Sequence, residues 1–125
     1  MRIGQLTTNS QFQCVTSSGH KAVTKSFVVF CLSNICEHFG PRFDSGAADA
    51  FIGFTVSRRN GNAVKRNRIK RRLRHVVRDV MPQFEFLNGA AVVVIARPNA
   101  RTEKYEDLSA EMQKVLNYLR KTVAA

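Results

Sequence analysis

A run of basic residues between positions 65 and 78 carries the clearest chemical signal in this sequence. Eight of the residues in the run are lysine or arginine, and the first acid, Asp79, comes directly after it. On a helix, like charges three or four residues apart repel each other by about a few tenths of a kcal/mol per pair. Cations near a helix N-terminus are also disfavoured by the macrodipole. The run is therefore poorly suited to stabilising a fold, and we interpret it as a surface that binds an anion.

The charge of the whole chain indicates the same kind of partner. The 125 residues contain 20 lysines and arginines against 9 acids, which gives a net charge of +11. Such a surplus is typical of proteins that bind nucleic acid or an anionic membrane. A row of positive side chains gains binding free energy when it neutralises phosphates, and the forked guanidinium of arginine can donate two hydrogen bonds to phosphate oxygens. We predict contact with nucleic acid rather than a solvated charged face.

The sequence does not indicate a catalytic or metal site. Metal-dependent nucleases need carboxylates or histidines clustered around a cation, whereas the acids here are few and scattered. His75 and Asp79 are spaced as an ordinary surface pair of a helix. Cys31, Cys36 and His38 lack the spacing and the fourth ligand of a structural zinc site, so we interpret them as core or loop residues. We predict a binding protein with no catalytic residue and no metal ligand.

The basic run is predicted to be an amphipathic helix that Asn62 caps and Pro82 ends. With about 100° per residue, its apolar residues fall in one stripe. That stripe contains Ile69, Leu73, Val76, Val77 and Val80. The opposite side contains Asn67, Arg71, Arg74 and Arg78. A membrane-surface helix would need the stripe exposed, but neighbouring strands need it as a cover.

The other elements place this helix in one α/β layer and one domain. Strand-forming runs cover residues 26–32, 51–57 and 90–96. Helical patterns cover residues 10–17, after a cap at Thr8 or Asn9, and residues 105–121. Residues 34–50 have the composition of a loop. We expect no secretory leader, no membrane span, reduced cysteines and a cytoplasmic location.

Two aromatic residues have two interpretations. Phe12 on the first helix and Phe30 on the first strand could face a common groove and stack unpaired bases. They could equally be core residues. Alternation along the strand puts Val28, Phe30 and Leu32 on one face and Phe27, Val29 and Cys31 on the other.

The stretch "GNAVKRNRIKRRLR", residues 61–74, closely resembles the Arg-Asn-Arg signature of the bacterial ribonuclease P protein component. Flanking stretches resemble other parts of that family in the same order. These stretches are "QFQCV", "SFVVF", "FTVSRR", "VVVIARP" and "YEDL". The resemblance covers roughly residues 6–121.

The resemblance implies a fold, an activity and partners. The implied fold is α/β, with a single-layer four-stranded sheet, the order α-β-β-β-α-β-α, a left-handed βαβ crossover and one domain over residues 1–125. The implied enzyme is the endoribonuclease ribonuclease P, in which a catalytic RNA subunit uses Mg²⁺ to remove the 5′ leader of precursor tRNA. The protein subunit would bind that RNA and the leader, with no DNA and no membrane as partners.

The resemblance also implies two groups of binding residues. The RNA-binding group consists of Arg58, Arg59, Asn62, Lys65, Arg66, Asn67, Arg68, Lys70, Arg71 and Arg74. The leader cleft consists of Phe12, Thr16, Val28 and Phe30. The sequence departs from the family at Thr16, where an aromatic residue is common, in its short N-terminal arm and in the long 34–50 segment. The alternative function is a non-catalytic RNA-binding protein of the ribosomal or assembly type, and an enzyme with its own active site is a third.

Overall fold

The computed structural model describes residues 1–39 and 48–124. The strands in this part of the chain are β1 (Ile3–Gln5), β2 (His20–Val23), β3 (Phe27–Leu32), β4 (Ala50–Thr55) and β5 (Ala91–Ala96). The α-helices are α1 (Asn9–Ser18), α2 (Ile35–Phe39), α3 (Ala63–Val80) and α4 (Tyr105–Ala124). Short 3₁₀ turns join several of these elements.

The strands form one five-stranded sheet in the order β1-β4-β5-β3-β2. Strand β4 is parallel to both β1 and β5, whereas β3 is antiparallel to both β5 and β2. The α/β class is confirmed, but the predicted count of four strands is wrong. From α1 onwards the chain follows the predicted order α-β-β-β-α-β-α, with the short α2 added between two strands. The extra strand is β1.

The strands that were not located from the residue pattern, β1 and β2, are the two edges of the sheet. β1 has three residues, and β2 buries only Ala22, so neither produces a strong alternation of apolar and polar residues. Tertiary contacts hold β1 in place. Its pairing with β4 continues in a bond from the Leu6 N–H to the Ile52 carbonyl at 2.9 Å. The Arg2 N–H donates to Asp49 Oδ2 at 2.6 Å.

The main core lies between one face of the sheet and the helices α3 and α4. Helix α3 begins after Asn62, whose Oδ1 accepts from the Lys65 N–H at 3.0 Å, and it ends at Val80 before Pro82, as predicted. Its five stripe residues are all buried. The stripe of α4 is buried as well, through Leu108, Met112, Val115, Leu116 and Leu119. Burial of both stripes fixes the rotation of each helix about its axis.

Helix α1 packs on the opposite face of the sheet. Thr8 caps it with a reciprocal pair of bonds to Gln11, and Gly19 follows its last turn. Val15 is fully buried there, near Leu32 and Val93. The predicted split of β3 is confirmed, since Phe27, Val29 and Cys31 join the main core while Val28 and Phe30 are half-buried on the α1 side. With ten residues, α1 covers only part of this face.

Part of the predicted 34–50 loop is helical or extended. α2 occupies its beginning and Ala50 opens β4, while residues 40–47 lie outside the described residues. The loop prediction missed α2 because a five-residue helix is too short to repeat the helical period of apolar residues.

Adjacent parallel strands β4 and β5 are joined through α3, which confirms a βαβ crossover. Its left-handedness stays a prediction, as does a single domain over residues 1–125.

In the residues that the structure describes, no helix is both long and apolar enough to cross a membrane.

Three polar contacts lock α4 and the preceding segment to the rest of the molecule. The Arg72 guanidinium of α3 donates to the Glu103 carbonyl. Lys25 Nζ pairs with Glu103 Oε2 at 3.0 Å. The Tyr105 hydroxyl donates to Asp79 Oδ2, and this bond raises the pKa of Tyr105 to about 12. Asp79 therefore bonds across to α4, instead of serving only as a neighbour of His75 on α3.

Candidate nucleic-acid interface

The outer side of α3 presents a basic face made of Lys65, Asn67, Arg68, Arg71 and Arg74, all of which are exposed. Arg66 and Lys70 flank it and are half-buried. Because the opposite stripe is buried in the core, the helix cannot turn these side chains away from solvent. Arg72 differs from the others, since its guanidinium is bound to the Glu103 carbonyl. The basic face is thus a rigid row of donors suited to phosphates.

A 3₁₀ turn, Arg58–Asn60, adds two exposed arginines just before α3. The turn is anchored by Asn60, which is 5% exposed and donates from Nδ2 to the Ser57 carbonyl at 3.2 Å. Gly61 follows with a φ of 112°, a conformation that favours glycine. Arg58 and Arg59 are therefore held beside the first turn of α3. The side-chain oxygen of Asn62, in contrast, accepts the hydrogen bond that caps α3.

The residues of the second predicted group, the apolar cleft, are Phe12, Thr16, Val28 and Phe30, and they lie on the α1 side of the sheet. All four side chains are half-buried. Phe12 and Phe30 pack against the same apolar cluster. In the register of β3 and β5, Val28 lies opposite Ile95, which is also half-buried and which sequence reasoning did not single out. The phenylalanines are thus supported from below by the sheet while part of each remains exposed.

Phe12 lies unusually close to the sheet because β4 has a glycine beneath it. A Cβ atom placed on Gly53 would be 2.5 Å from Cε1 of the Phe12 ring, closer than real Cβ atoms come to other atoms. The ring therefore occupies the space that any other residue at position 53 would fill. The sequence places Gly53 in a strand, but the approach of α1 to that strand is visible only in the fold.

Two polar side chains lie at the apolar cleft: Thr16 belongs to it, and Lys21 lies beside Phe30. The Thr16 hydroxyl donates to the Phe12 carbonyl at 3.1 Å, so its donor is used within α1. Lys21 Nζ lies 5.8 Å from the centroid of the Phe30 ring. Sequence reasoning missed Lys21, because only the pairing of β2 with β3 places it opposite Phe30.

A hollow of about 120 Å³ lies between Phe12 of the cleft group and two basic residues of α3, at the edge of β4. Phe12 and Gly53 line it from the side of the cleft, and Lys70 and Arg74 line it from α3. The opening exists because β1 pairs with β4 only as far as Ile52, which leaves Gly53 to Thr55 without a strand on that side. The structure thus joins basic residues of α3 and an aromatic residue of the cleft in one continuous surface.

The cysteines and histidines do not come together with acids in the described residues: no three His, Cys, Asp or Glu side chains there could hold a metal ion. Cys31 is fully buried, and this burial raises the pKa of its thiol to about 12. His38 is exposed on α2. The side chain of Cys36 lies outside the described part of the chain.

Comparison with known proteins identifies the family. The family model described as Ribonuclease P matches residues 2–120. The chain belongs to this family. The ribonuclease P protein component of Streptococcus thermophilus is 37% identical over 105 residues, which are 84% of this chain and 82% of the relative. That of Gluconacetobacter diazotrophicus is 36% identical over 115 residues, 92% of this chain and 90% of the relative.

Solved structures of ribonuclease P proteins share the fold. A Staphylococcus aureus RNase P protein mutant with defective mRNA degradation activity is 25% identical, with a TM-score of 0.71 over 93% of this chain and 87% of that chain. The Thermotoga maritima RNase P protein, 22% identical, has a TM-score of 0.68 over 94% of this chain and 96% of that one. The resemblance drawn from residues 61–74 is confirmed, and the chain is a protein subunit of ribonuclease P.

Proposed function

We propose that this ribonuclease P protein binds the catalytic RNA through the basic face and holds the single-stranded 5′ leader of precursor tRNA in the apolar cleft. The basic face then anchors the protein to folded RNA by phosphate contacts. The cleft accepts any base by stacking on aromatic and apolar surface. This tolerance suits a subunit whose precursor substrates have leaders of different sequence.

The observation that carries the proposal is the hollow that joins Phe12 to Lys70 and Arg74. A single strand needs an aromatic platform for its bases and cations for its backbone. Here both are available within one surface, at the point where the cleft meets α3. RNA bound along α3 and a leader in the cleft can therefore be neighbours in one complex.

The chemistry of leader removal belongs to the RNA subunit in this proposal, and the Mg²⁺ that it requires is bound by RNA. The described residues offer no cluster of acids and histidines that fits the ion. We therefore assign no catalytic step to a protein side chain. The protein contributes substrate affinity: a leader in the cleft adds binding that mature tRNA, which has no leader, cannot use.

Replacing Phe30 with alanine tests the cleft. We expect Phe30→Ala to weaken binding of precursor tRNA to the reconstituted complex by the equivalent of about 1–3 kcal/mol, the value of one stacked base. Binding of mature tRNA should stay nearly unchanged. Tyr118→Ala is the matched control, because Tyr118 is an exposed aromatic residue on α4, outside the cleft. Equal losses for precursor and mature tRNA, or a loss explained by unfolding of the variant, would contradict the proposal.

Reconstitution separates this function from its rivals. With the cognate catalytic RNA at low Mg²⁺, the protein should stimulate cleavage of precursor tRNA. A ribosomal or assembly protein would bind RNA without this stimulation. Cleavage by the protein without RNA would instead indicate an active site of its own.

The remaining partners and the location follow from the same proposal. The protein acts on RNA alone, without DNA or a membrane as a partner. Cys14 and Cys31 are free thiols, and free thiols are typical of a reducing compartment. The proposed location is the cytoplasm, which localisation of a tagged chain would test.

A further inference from the structure

A second hollow lies on the flank of α3 that faces away from the cleft. Its volume is about 550 Å³, and its lining consists of Val64, Lys65, Arg68, Arg71, Arg101 and Thr102. Three of its cations come from α3 and the fourth, Arg101, comes from the 3₁₀ turn Pro98–Arg101 that precedes α4. Arg101 belongs to neither group of binding residues that the sequence indicated.

The turn that carries Arg101 is held firmly. Ala100 is fully buried. Asn99 Nδ2 donates to Ser26 Oγ at 2.9 Å and to Glu103 Oε2 at 3.0 Å. The Arg72 guanidinium of α3 donates to the Glu103 carbonyl just beyond the turn. These contacts hold the turn beside α3, and the turn brings the Arg101 side chain to the lining of the hollow.

The charge in this hollow is not balanced by the protein. No acid contributes to its lining. Glu103, two residues after Arg101, is occupied by Lys25 Nζ and by Asn99. Four cations in one concavity repel each other, and the positive end of α3 lies beside them. An anion with several charges would relieve this repulsion.

We propose that this hollow, the Arg101 hollow, binds a stretch of the phosphate backbone of the catalytic RNA. The inference rests on the proposed function, which it deepens by adding a contact from outside α3. The ligand is the catalytic RNA rather than the leader because of the position of the hollow. Lys70 and Arg74 border the opening to the cleft, whereas Lys65, Arg68 and Arg101 lie on the other flank of the helix. Val64, which is 76% exposed, adds apolar surface to the lining of the hollow.

The test is the salt dependence of binding to the catalytic RNA. Removing one phosphate contact should lower the slope of log affinity against log salt by about one. We therefore expect Arg101→Gln to bind more weakly at low salt and to show this smaller slope. Arg120→Gln, which removes an exposed arginine from α4, should leave the slope unchanged. In the free protein at low salt, Arg101→Gln should unfold at the same or a higher temperature, because a repulsive charge is removed.

The results that would overturn the inference are distinct from those that would overturn the proposed function. An unchanged slope for Arg101→Gln, or an equal change for Arg120→Gln, rules out the contact. A smaller gap between precursor and mature tRNA binding in Arg101→Gln would mean that the hollow contacts the leader, which contradicts the assignment to catalytic RNA. Arg68→Ala, measured in parallel, separates the two levels: if it also leaves the slope unchanged, the basic face itself is not the anchor.

Discussion

At the scale of single residues, the contact of Phe12 with Gly53 gives a sharp prediction for the cleft. Gly53→Ala places a methyl group where the Phe12 ring lies, and the ring must move because the gap would be 2.5 Å. Since Phe12 is only half-buried, it can swing outwards without unfolding the chain. We expect weaker binding of precursor tRNA, by up to the roughly 1–3 kcal/mol that one stacked base contributes. Binding assays on reconstituted complexes would measure it.

A double-mutant cycle with Phe12→Ala provides the control. If Gly53→Ala acts by displacing Phe12, the two substitutions should not add, because the ring can be lost only once. Additive losses would show that Gly53 matters for another reason. Thermal unfolding of the free variants would show whether the fold is retained.

The chemical type of the proposed binding residues was predictable from the sequence, but the residues that lie beside them were not all predictable. A row of arginines indicates phosphates wherever it occurs, because charge and donor geometry belong to the side chain itself. Gly53, Lys21 and Arg101 acquire their roles from contacts between elements far apart in sequence. Ile95 could not be singled out from the sequence either, because it lies in a continuous apolar run and only the fold leaves it half-buried while the rest of β5 is buried.

At the scale of elements, α3 combines residues that we propose bind RNA with residues that stabilise the fold, and single substitutions should separate the two groups. Arg68 is exposed on the basic face, whereas Arg72 is bound to the Glu103 carbonyl. We expect Arg68→Ala to weaken binding of the catalytic RNA with little change in Tm. Arg72→Ala should lower the free energy of unfolding by about 1.5–3 kcal/mol, the net value of a hydrogen bond that involves a charged group. Chemical denaturation and RNA titration would measure both, and the reverse pattern would contradict the assignment.

The same helix should make the affinity depend steeply on salt. If about six of its charges neutralise phosphates, affinity for the catalytic RNA should fall roughly 10³-fold between about 50 and 200 mM monovalent salt. A flat response would show that the basic face is not the anchor. Arg71→Ala and Arg68→Ala should each reduce the slope of log affinity against log salt by about one.

The long elements were predictable and the short ones were not. α3 and α4 contain 18 and 20 residues, and each repeats its apolar stripe over several turns. β3 and β5 are continuous runs of strand formers. β1, with three residues, and β2, with a single buried side chain, are strands because a neighbour pairs with them. Their own sequence contains too little periodicity to show it.

At the scale of the whole molecule, Glu103 bonds to Lys25 before β3, to Arg72 on α3 and to Asn99 in the turn before α4. Its carboxylate pairs with Lys25 and accepts from Asn99, and the hydrogen bond from Lys25 is the main reason that the pKa of Glu103 lies below its usual range. A carboxyl group with a lowered pKa stabilises the fold above its unfolded pKa, near 4.5, and this contribution is lost as the pH falls through the folded pKa.

Glu103→Gln should therefore lower the Tm of the free protein at neutral pH. The difference from the unmodified chain should shrink as the pH falls from about 4.5 through the lower folded pKa, because the carboxylate is protonated first in the unfolded state and then, below the folded pKa, in both states. Thermal unfolding followed by circular dichroism across this range would measure it. A constant difference at all pH values would mean that the ion pair does not contribute to the pH dependence.

The position of β5 in the sheet has a consequence for how the chain is made. β5 is the last strand to be synthesised among the described strands, yet it lies in the middle of the sheet, between β4 and β3. While residues 91–96 are still inside the ribosome, β1 with β4 and β2 with β3 can form only two separate pairs, and two-stranded pairs are at best marginally stable in water. The five-stranded sheet can therefore form only after residues 91–96 have left the ribosome. Until then the unpaired edges and apolar faces of the early strands are open to aggregation.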